Sequence, residues 1–467
     1  MNSKQIQKTP AIGLFTSICL VVASMVGTGV FTSLGFQVLD IKSGFALLSL
    51  WMVGGVFALC GALCYGELGA AMPRSGGEYH YLSQIYHPAI GFLSGWVSVT
   101  VGFAAPIAAA AMALGKYLSS AFPFPALPLE LLAYIPDNLA RNLPEKLASI
   151  QSMAIATFVV IAVSLIHSHN LKLGSRFQKI STLLKILLIV GLIGCGISLA
   201  TPQDISFLPG QGDLNLIFSS PFAVSLVYVT YSYSGWNAAV YLASEVKQPE
   251  KNLPKALFWG TAVVMILYLL LNFIFLYSTP IEELAGQLEV GYIAADRIFG
   301  ASGGKIMGLL IAFGLISSIS SMVWAGPRVA QTIGEDIALF RPLARKNVRG
   351  IPSYAIFFQL AIVLVLLITA SFESVITYLG FTLTFSSFIT VLGLFVHRWK
   401  YPQLDRPYKT WGYPITPLIF LTISLWMLVF ILMKQPTESL AGLGTIAFGL
   451  PFYFFGKAKV KVARSKS

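Results

Sequence analysis

Long apolar stretches alternate with short polar joints along almost the whole chain. Twelve stretches stand out, at roughly 12–38, 44–72, 89–120, 149–168, 178–200, 220–243, 255–279, 305–330, 353–371, 374–396, 413–433 and 439–457. Each is about long enough, as a helix, to cross a hydrocarbon core of about 30 Å. The pattern predicts an all-α polytopic membrane protein with twelve transmembrane helices and a single membrane domain over 1–467. A tight hairpin is expected at 371–374, and the longest connections, 121–148 and 280–304, leave no room for a soluble domain. Small residues recur inside the stretches: Gly54, Gly55, Ala58, Ala62 and Gly66 lie near four-residue spacing, and Ala108 to Ala111 crowd the third span. Such positions let helices approach closely where lipid supplies no hydrophobic drive between them.

Two stretches are interrupted near their middles. The first reads Ser24-Met25-Val26-Gly27-Thr28-Gly29-Val30, and the sixth reads Tyr231-Ser232-Tyr233-Ser234-Gly235-Trp236-Asn237. They lie five spans apart, at matching places if spans 1–5 and 6–10 are repeats, and such matched interruptions point to a transporter's binding site. Irregular backbone at membrane depth is tolerated only where it is enclosed or lines a cavity. A half-helix starting after Gly29 offers amide groups and a positive dipole end to a carboxylate, while carbonyls ending the opposed half-helices suit an ammonium. An α-amino acid carries both groups. Glycine is expected there because it opens unusual dihedrals and keeps a side chain out of the ligand's path.

Composition agrees with a membrane: 56% of residues are hydrophobic and 11% charged, against about 25% charged in soluble domains. The net charge of +12 does not indicate nucleic acid, because Lys and Arg sit in the joints rather than on one face or tail. With a cytoplasmic N-terminus, 23 basic residues fall inside and seven outside, a bias that orients both termini to the cytoplasm. The apolar run after Lys4 and Lys8 is too long for a signal peptide, so an uncleaved first helix is expected. Cys19, Cys60, Cys64 and Cys195 all lie in apolar spans, where no external disulfide to a partner subunit forms. No metal-ligand cluster and no GxxxxGK[ST] motif is present, so neither a cofactor, an enzyme nor an ATP-driven pump is expected.

Several motifs resemble the amino acid–polyamine–organocation superfamily. They are Gly27-Thr28-Gly29-Val30-Phe31, Pro73-Arg74-Ser75-Gly76-Gly77-Glu78-Tyr79 followed by Gly91-Phe92 and Gly95-Trp96, and Ser234-Gly235-Trp236-Asn237 with Glu245, Pro249-Glu250-Lys251-Asn252 and Pro254. Arg328 also fits, and the Tyr-small-Gly-Trp-Asn run looks most like the neutral L-amino-acid branch. The resemblance implies a LeuT-type fold: repeat one over about 12–200, an inverted repeat two over about 220–396, and two extra helices at 413–457, with helices 1 and 6 broken at the midplane. It implies that the amides of Gly27, Thr28 and Gly29 hold the substrate carboxylate. The carbonyls of Met25, Tyr231 and Ser234 hold its amine, with Ser232 beside them. Tyr231 and Trp236 become gating residues, and Asn237 contacts substrate or braces the break. Ser234 departs from the glycine common in relatives and narrows the pocket slightly.

Lys185 is the one Lys or Arg placed well inside a span rather than near its end. An intramembrane charge is a functional candidate, the alternative being snorkelling to the headgroups. The resemblance implies an ammonium in place of a bound sodium, bridging Ser24 and Met25 to Ser317, Ser318, Ser320 or Ser321. Sodium-independent transport, proton-coupled or by exchange, follows. No Asp or Glu lies mid-span, and Glu67 and Glu245 sit near cytoplasmic span ends, either solvated or as latches for Arg74 or Arg328. Neutral amino acids are therefore favoured over cationic amino acids or polyamines, and a transporter-like nutrient sensor ranks behind both. The partners expected are a small-molecule amino acid and the plasma-membrane bilayer, with no obligate protein partner.

Overall fold

The computed structural model describes residues 12–122, 143–169, 171–369 and 372–464. Lys4, Lys8, Arg141, most of the 121–148 connection and part of the 371–374 hairpin lie outside them. Among the described residues every regular element is a helix, apart from one isolated bridge between Ile12 and Val246. Among the described residues ten helices, counting bent ones once, are long and apolar enough to cross a membrane.

The first span is two helices, α1 (Leu14–Met25) and α2 (Gly29–Asp40), followed by α3 (Gly44–Ala71). The next joint folds into α4 (Glu78–Ile85). Span three comprises α5 (Pro88–Val97), a π-helical turn (Ser98–Gly102) and α6 (Ala104–Ala121). Then come α7 (Leu143–His169), α8 (Leu171–Leu199) and the short α9 (Asp213–Ile217). Span six divides into α10 (Ser220–Tyr233) and a 3₁₀ helix (Ala238–Glu245). After α11 (Pro249–Ser278), the joint predicted at 280–304 holds α12 (Ile281–Leu284) and α13 (Val290–Phe299). The remainder is α14 (Ala301–Asp336), a 3₁₀ turn (Ala338–Ala344), α15 (Ser353–Thr369), α16 (Phe372–Lys400), α17 (Ile415–Lys434) and α18 (Pro436–Arg464). At 17 residues α15 is shorter than the ten.

The small residues act as the pattern suggests. A Cβ on Gly54 would lie 2.3 Å from Val229 of α10, and one on Gly55 2.6 Å from Met265 of α11. Ala108 to Ala111 are buried within the bundle, so bulkier side chains there would hold α6 away from its neighbours. In the most apolar stretch of Pro88–Ala121 83% of residues are buried, against 22% in that of Ser149–His169 in α7. The first is therefore the core of the bundle, while α7 turns Phe158 and Leu165 outward. The Ile12 amide donates to the Glu245 carbonyl at 2.9 Å and the Lys247 amide to the Ile12 carbonyl at 2.8 Å. These bonds fasten the entry of the first broken span to the exit of the second.

Candidate functional site

The α1 helix closes with the Val26 amide on the Val22 carbonyl, and the Gly27 amide then folds back to the Met25 carbonyl at 2.8 Å. The chain restarts as α2 at Gly29. Among the described residues the amides of Thr28 and Gly29 make no recorded hydrogen bond, as befits the first turn of a helix. In span six the Ser234 amide reaches the Tyr231 carbonyl at 2.9 Å, and Gly235 turns the chain at φ +96°, a conformation that disfavours any side chain.

The two breaks lock into each other. A Cβ on Gly29 would lie 2.5 Å from Ser232 Cα, and one on Gly235 would lie 2.8 Å from the Ser24 carbonyl. The expectation that Gly29 clears a path for ligand is corrected accordingly: its bare face is filled by the backbone of α10. Gly27 is different, because its Cβ would meet only ordinary neighbours at 3.8 and 3.9 Å.

Several freed carbonyls are already engaged. Tyr268 Oη donates to the Met25 carbonyl at 2.7 Å and reaches the Ser232 carbonyl at 3.1 Å. Lys185 is 4% exposed, and its Nζ donates to the Val26 carbonyl at 2.5 Å and to Ser318 Oγ at 2.8 Å. Ser318 Oγ also donates to Val26, at 2.7 Å. Lys185 thus joins the first break to α14 through Val26 rather than through Ser24 or Met25. Among the four candidate serines, Ser318 bonds it. Ser317 pairs with Ser181, Ser320 with His167, and Ser321 with the Ser318 carbonyl and Ser24.

A cavity opens beside the second break, lined there by Ser24, Tyr231, Ser234, Gly235, Trp236 and Asn237. Met25, Gly27, Thr28, Gly29 and Ser232 are not on its wall. Tyr231 connects the two regions, since it lines the cavity while its hydroxyl bonds Thr28 Oγ1 at 2.7 Å. Trp236 is wedged edge-on against Tyr65 with ring centroids 4.7 Å apart.

The cavity wall also contains a carboxylate that the span-by-span reading passed over. Glu78 begins α4 and is 4% exposed. Its Oε1 accepts from Tyr65 Oη at 2.8 Å and Asn237 Nδ2 at 2.9 Å, and its Oε2 accepts from Tyr241 Oη. Burial pushes its pKa up, while the bonds from Tyr241, Tyr65 and Asn237 pull it back. The Gly76-Gly77 pair before it explains how α4 reaches inward. Both glycines have positive φ, and a Cβ on Gly77 would strike the Tyr241 ring at 2.4 Å. An acid directly after two glycines in a joint was the available signal.

Ion pairs close the face carrying these joints. Arg74 pairs with Asp336 at 2.8 Å, not with Glu67, and Tyr79 Oη donates to the same carboxylate. Arg328 pairs with Glu245 at 3.3 Å, as the sequence suggested. Glu67 instead faces Arg398 and Arg406.

The sequence profile described as amino acid permease matches residues 12–449. The chain belongs to the amino acid permease family. The permease is 26% identical over 449 residues to the b(0,+)-type amino acid transporter 1 of Mus musculus, covering 95% of this chain and 87% of that protein. It is likewise 26% identical over 454 residues to the large neutral amino acids transporter small subunit 2 of Mus musculus, covering 95% and 80%. The human b(0,+)-type transporter 1 is 27% identical over 453 residues, covering 95% and 87%. This permease is therefore a multi-pass membrane transporter and not an enzyme.

Proposed function

We propose that this permease is a secondary transporter moving neutral L-amino acids across the plasma membrane by alternating access, without sodium, as a proton symporter or an exchanger. The observation that carries the reading is the Lys185 ammonium on the Val26 carbonyl and Ser318. It occupies backbone acceptors, freed by the first break, that would otherwise suit a bound metal cation. The unbonded amides of Thr28 and Gly29 are the seat for a substrate carboxylate, reached when Tyr231 releases Thr28. Amine contacts come from the carbonyls around Tyr231 and Ser234. Tyr231 and Trp236 gate the cavity.

The helices are read as twelve crossings, with span six and α15 added to the ten long ones. The fold is then a LeuT-type pair of inverted five-helix repeats plus α17 and α18, with both termini cytoplasmic. One relative's name calls it a small subunit. This chain's cysteines sit within helices, three of them buried, so a disulfide-linked larger subunit is not part of the reading. Transport of cationic amino acids or polyamines is the second reading. It is favoured by Glu78 on the cavity wall and opposed by the three neutral donors already bonded to that carboxylate.

The test is a thermal-shift screen of the purified protein against the twenty amino acids and common polyamines, since bound ligand stabilises by mass action. Neutral amino acids should raise the unfolding temperature and polyamines should not. Proteoliposome uptake that rises strongly with a sodium gradient would refute the sodium-independent part.

A further inference from the structure

Asn237, Tyr241 and Glu78 form a closed ring of hydrogen bonds at the cavity wall. Asn237 Nδ2 donates to Glu78 Oε1 at 2.9 Å and to Tyr241 Oη at 3.2 Å, and Tyr241 Oη donates to Glu78 Oε2. A hydroxyl has one proton, and both Glu78 oxygens already accept from these neighbours. Tyr241 spends its proton on Glu78, so only lone pairs remain for Asn237. Both groups facing Asn237 are therefore acceptors, and both amide protons are consumed by them. The amide cannot flip without setting its oxygen against the carboxylate. Tyr65, on α3, adds a further donor to Oε1 at 2.8 Å and helps fix the carboxylate. Asn237 is half-buried and lines the cavity, and Oδ1 is its side-chain polar atom left outside the ring.

We infer that Glu78 is a positioning residue for substrate selection: through the ring it holds Asn237 so that the cavity presents a hydrogen-bond acceptor to the substrate side chain. The inference rests on the reading above that this cavity receives an amino acid. Its consequence is that substrates with a side-chain donor gain relative to isosteres lacking one. A group that hydrogen-bonds a ligand's hydroxyl discriminates against the analogue without it, because a buried polar atom is left unpaired. Threonine and valine make that comparison at nearly constant shape.

The experiment measures dissociation constants of threonine and valine for the full-length protein and for Glu78→Gln. A glutamine offers an amide in place of the acceptor-only carboxylate, so Asn237 loses its fixed sense. The valine-to-threonine ratio of dissociation constants should fall at least threefold, with valine's own constant changing less than twofold. Tyr241→Phe, which removes one side of the ring, should move the ratio in the same direction and carries the test if Glu78→Gln does not fold. An unchanged ratio in a folded variant overturns the inference, as does equal weakening of both ligands, the mark of a merely structural role. If the wild-type protein binds no amino acid at all, the transport reading fails and the inference falls with it.

Discussion

Lys185 Nζ sits 2.5 Å from the Val26 carbonyl, so a side chain on α8 satisfies the backbone acceptor exposed where α1 ends. Ser318 donates to the same oxygen. Replacing Lys185 with Met removes a charge-assisted bond to each partner, worth about 1.5–3 kcal/mol apiece, but leaves Val26 with one donor. The variant should fold and bring uptake down by about tenfold or more. Uptake into proteoliposomes in sodium-free and sodium-containing buffer checks this. Wild-type rates should be equal in the two, and a variant that transports normally would show that the ammonium is dispensable.

Gly29 and Gly27 are neighbours in one motif, yet they should respond differently to alanine. At Gly29 the new methyl would meet Ser232 Cα at 2.5 Å, backbone that cannot swing aside. Overpacking of this kind costs about 1–3 kcal/mol. At Gly27 the nearest atoms are 3.8 and 3.9 Å away. Thermal unfolding in detergent should show a lowered midpoint for Gly29→Ala and little change for Gly27→Ala. Equal midpoints would mean that the two breaks are not locked through this contact.

The broken helices were legible because glycine and polar residues interrupt otherwise apolar runs, and Lys185 because a lone charge stands out among leucines and isoleucines. The purpose of Gly29 was not legible, since its packing partner lies in another span. Glu78 escaped for a related reason. It belongs to a joint, and nothing in local periodicity reveals that α4 folds back against the bundle and puts its first residue on the cavity wall. The reading that no Asp or Glu lies mid-span concerned the spans alone, and the assembled protein brings Glu78 from a joint to the cavity wall. Asn237 was singled out as a residue that contacts substrate or braces the break, and its bonds to Glu78 and Tyr241 emerge only in three dimensions.

Glu67 is fully buried and receives Arg398 at 2.6 Å, Arg406 at 3.4 Å and the Thr410 amide at 2.7 Å. It joins α3 to the end of α16 and the joint that follows. Breaking a buried ion pair from one side leaves the partner's charge uncompensated, at about 3–5 kcal/mol, and here two guanidiniums share the loss. Glu67→Gln should therefore lower the unfolding midpoint more than Glu245→Gln, whose carboxylate is partly exposed beside Arg328. A smaller drop for Glu67→Gln would show that solvent already screens the two arginines.

His80 on α4 supplies a pH-dependent contribution. Burial, and then the positive charge of Arg74, push its imidazole pKa down from 6.5 to about 4. The unfolded chain, titrating near 6.5, binds the proton first, so acid favours unfolding. The stability linked to neutral His80 is fully present above pH 6.5 and drains away as pH falls toward 4. Between pH 7 and pH 5 the wild-type unfolding midpoint should decline. His80→Gln, which has no proton to take up, should show a shallower decline over the same interval. Parallel slopes for the two proteins would assign the acid sensitivity to other groups and place His80 in a more hydrated setting than its position between Arg74 and the bundle implies.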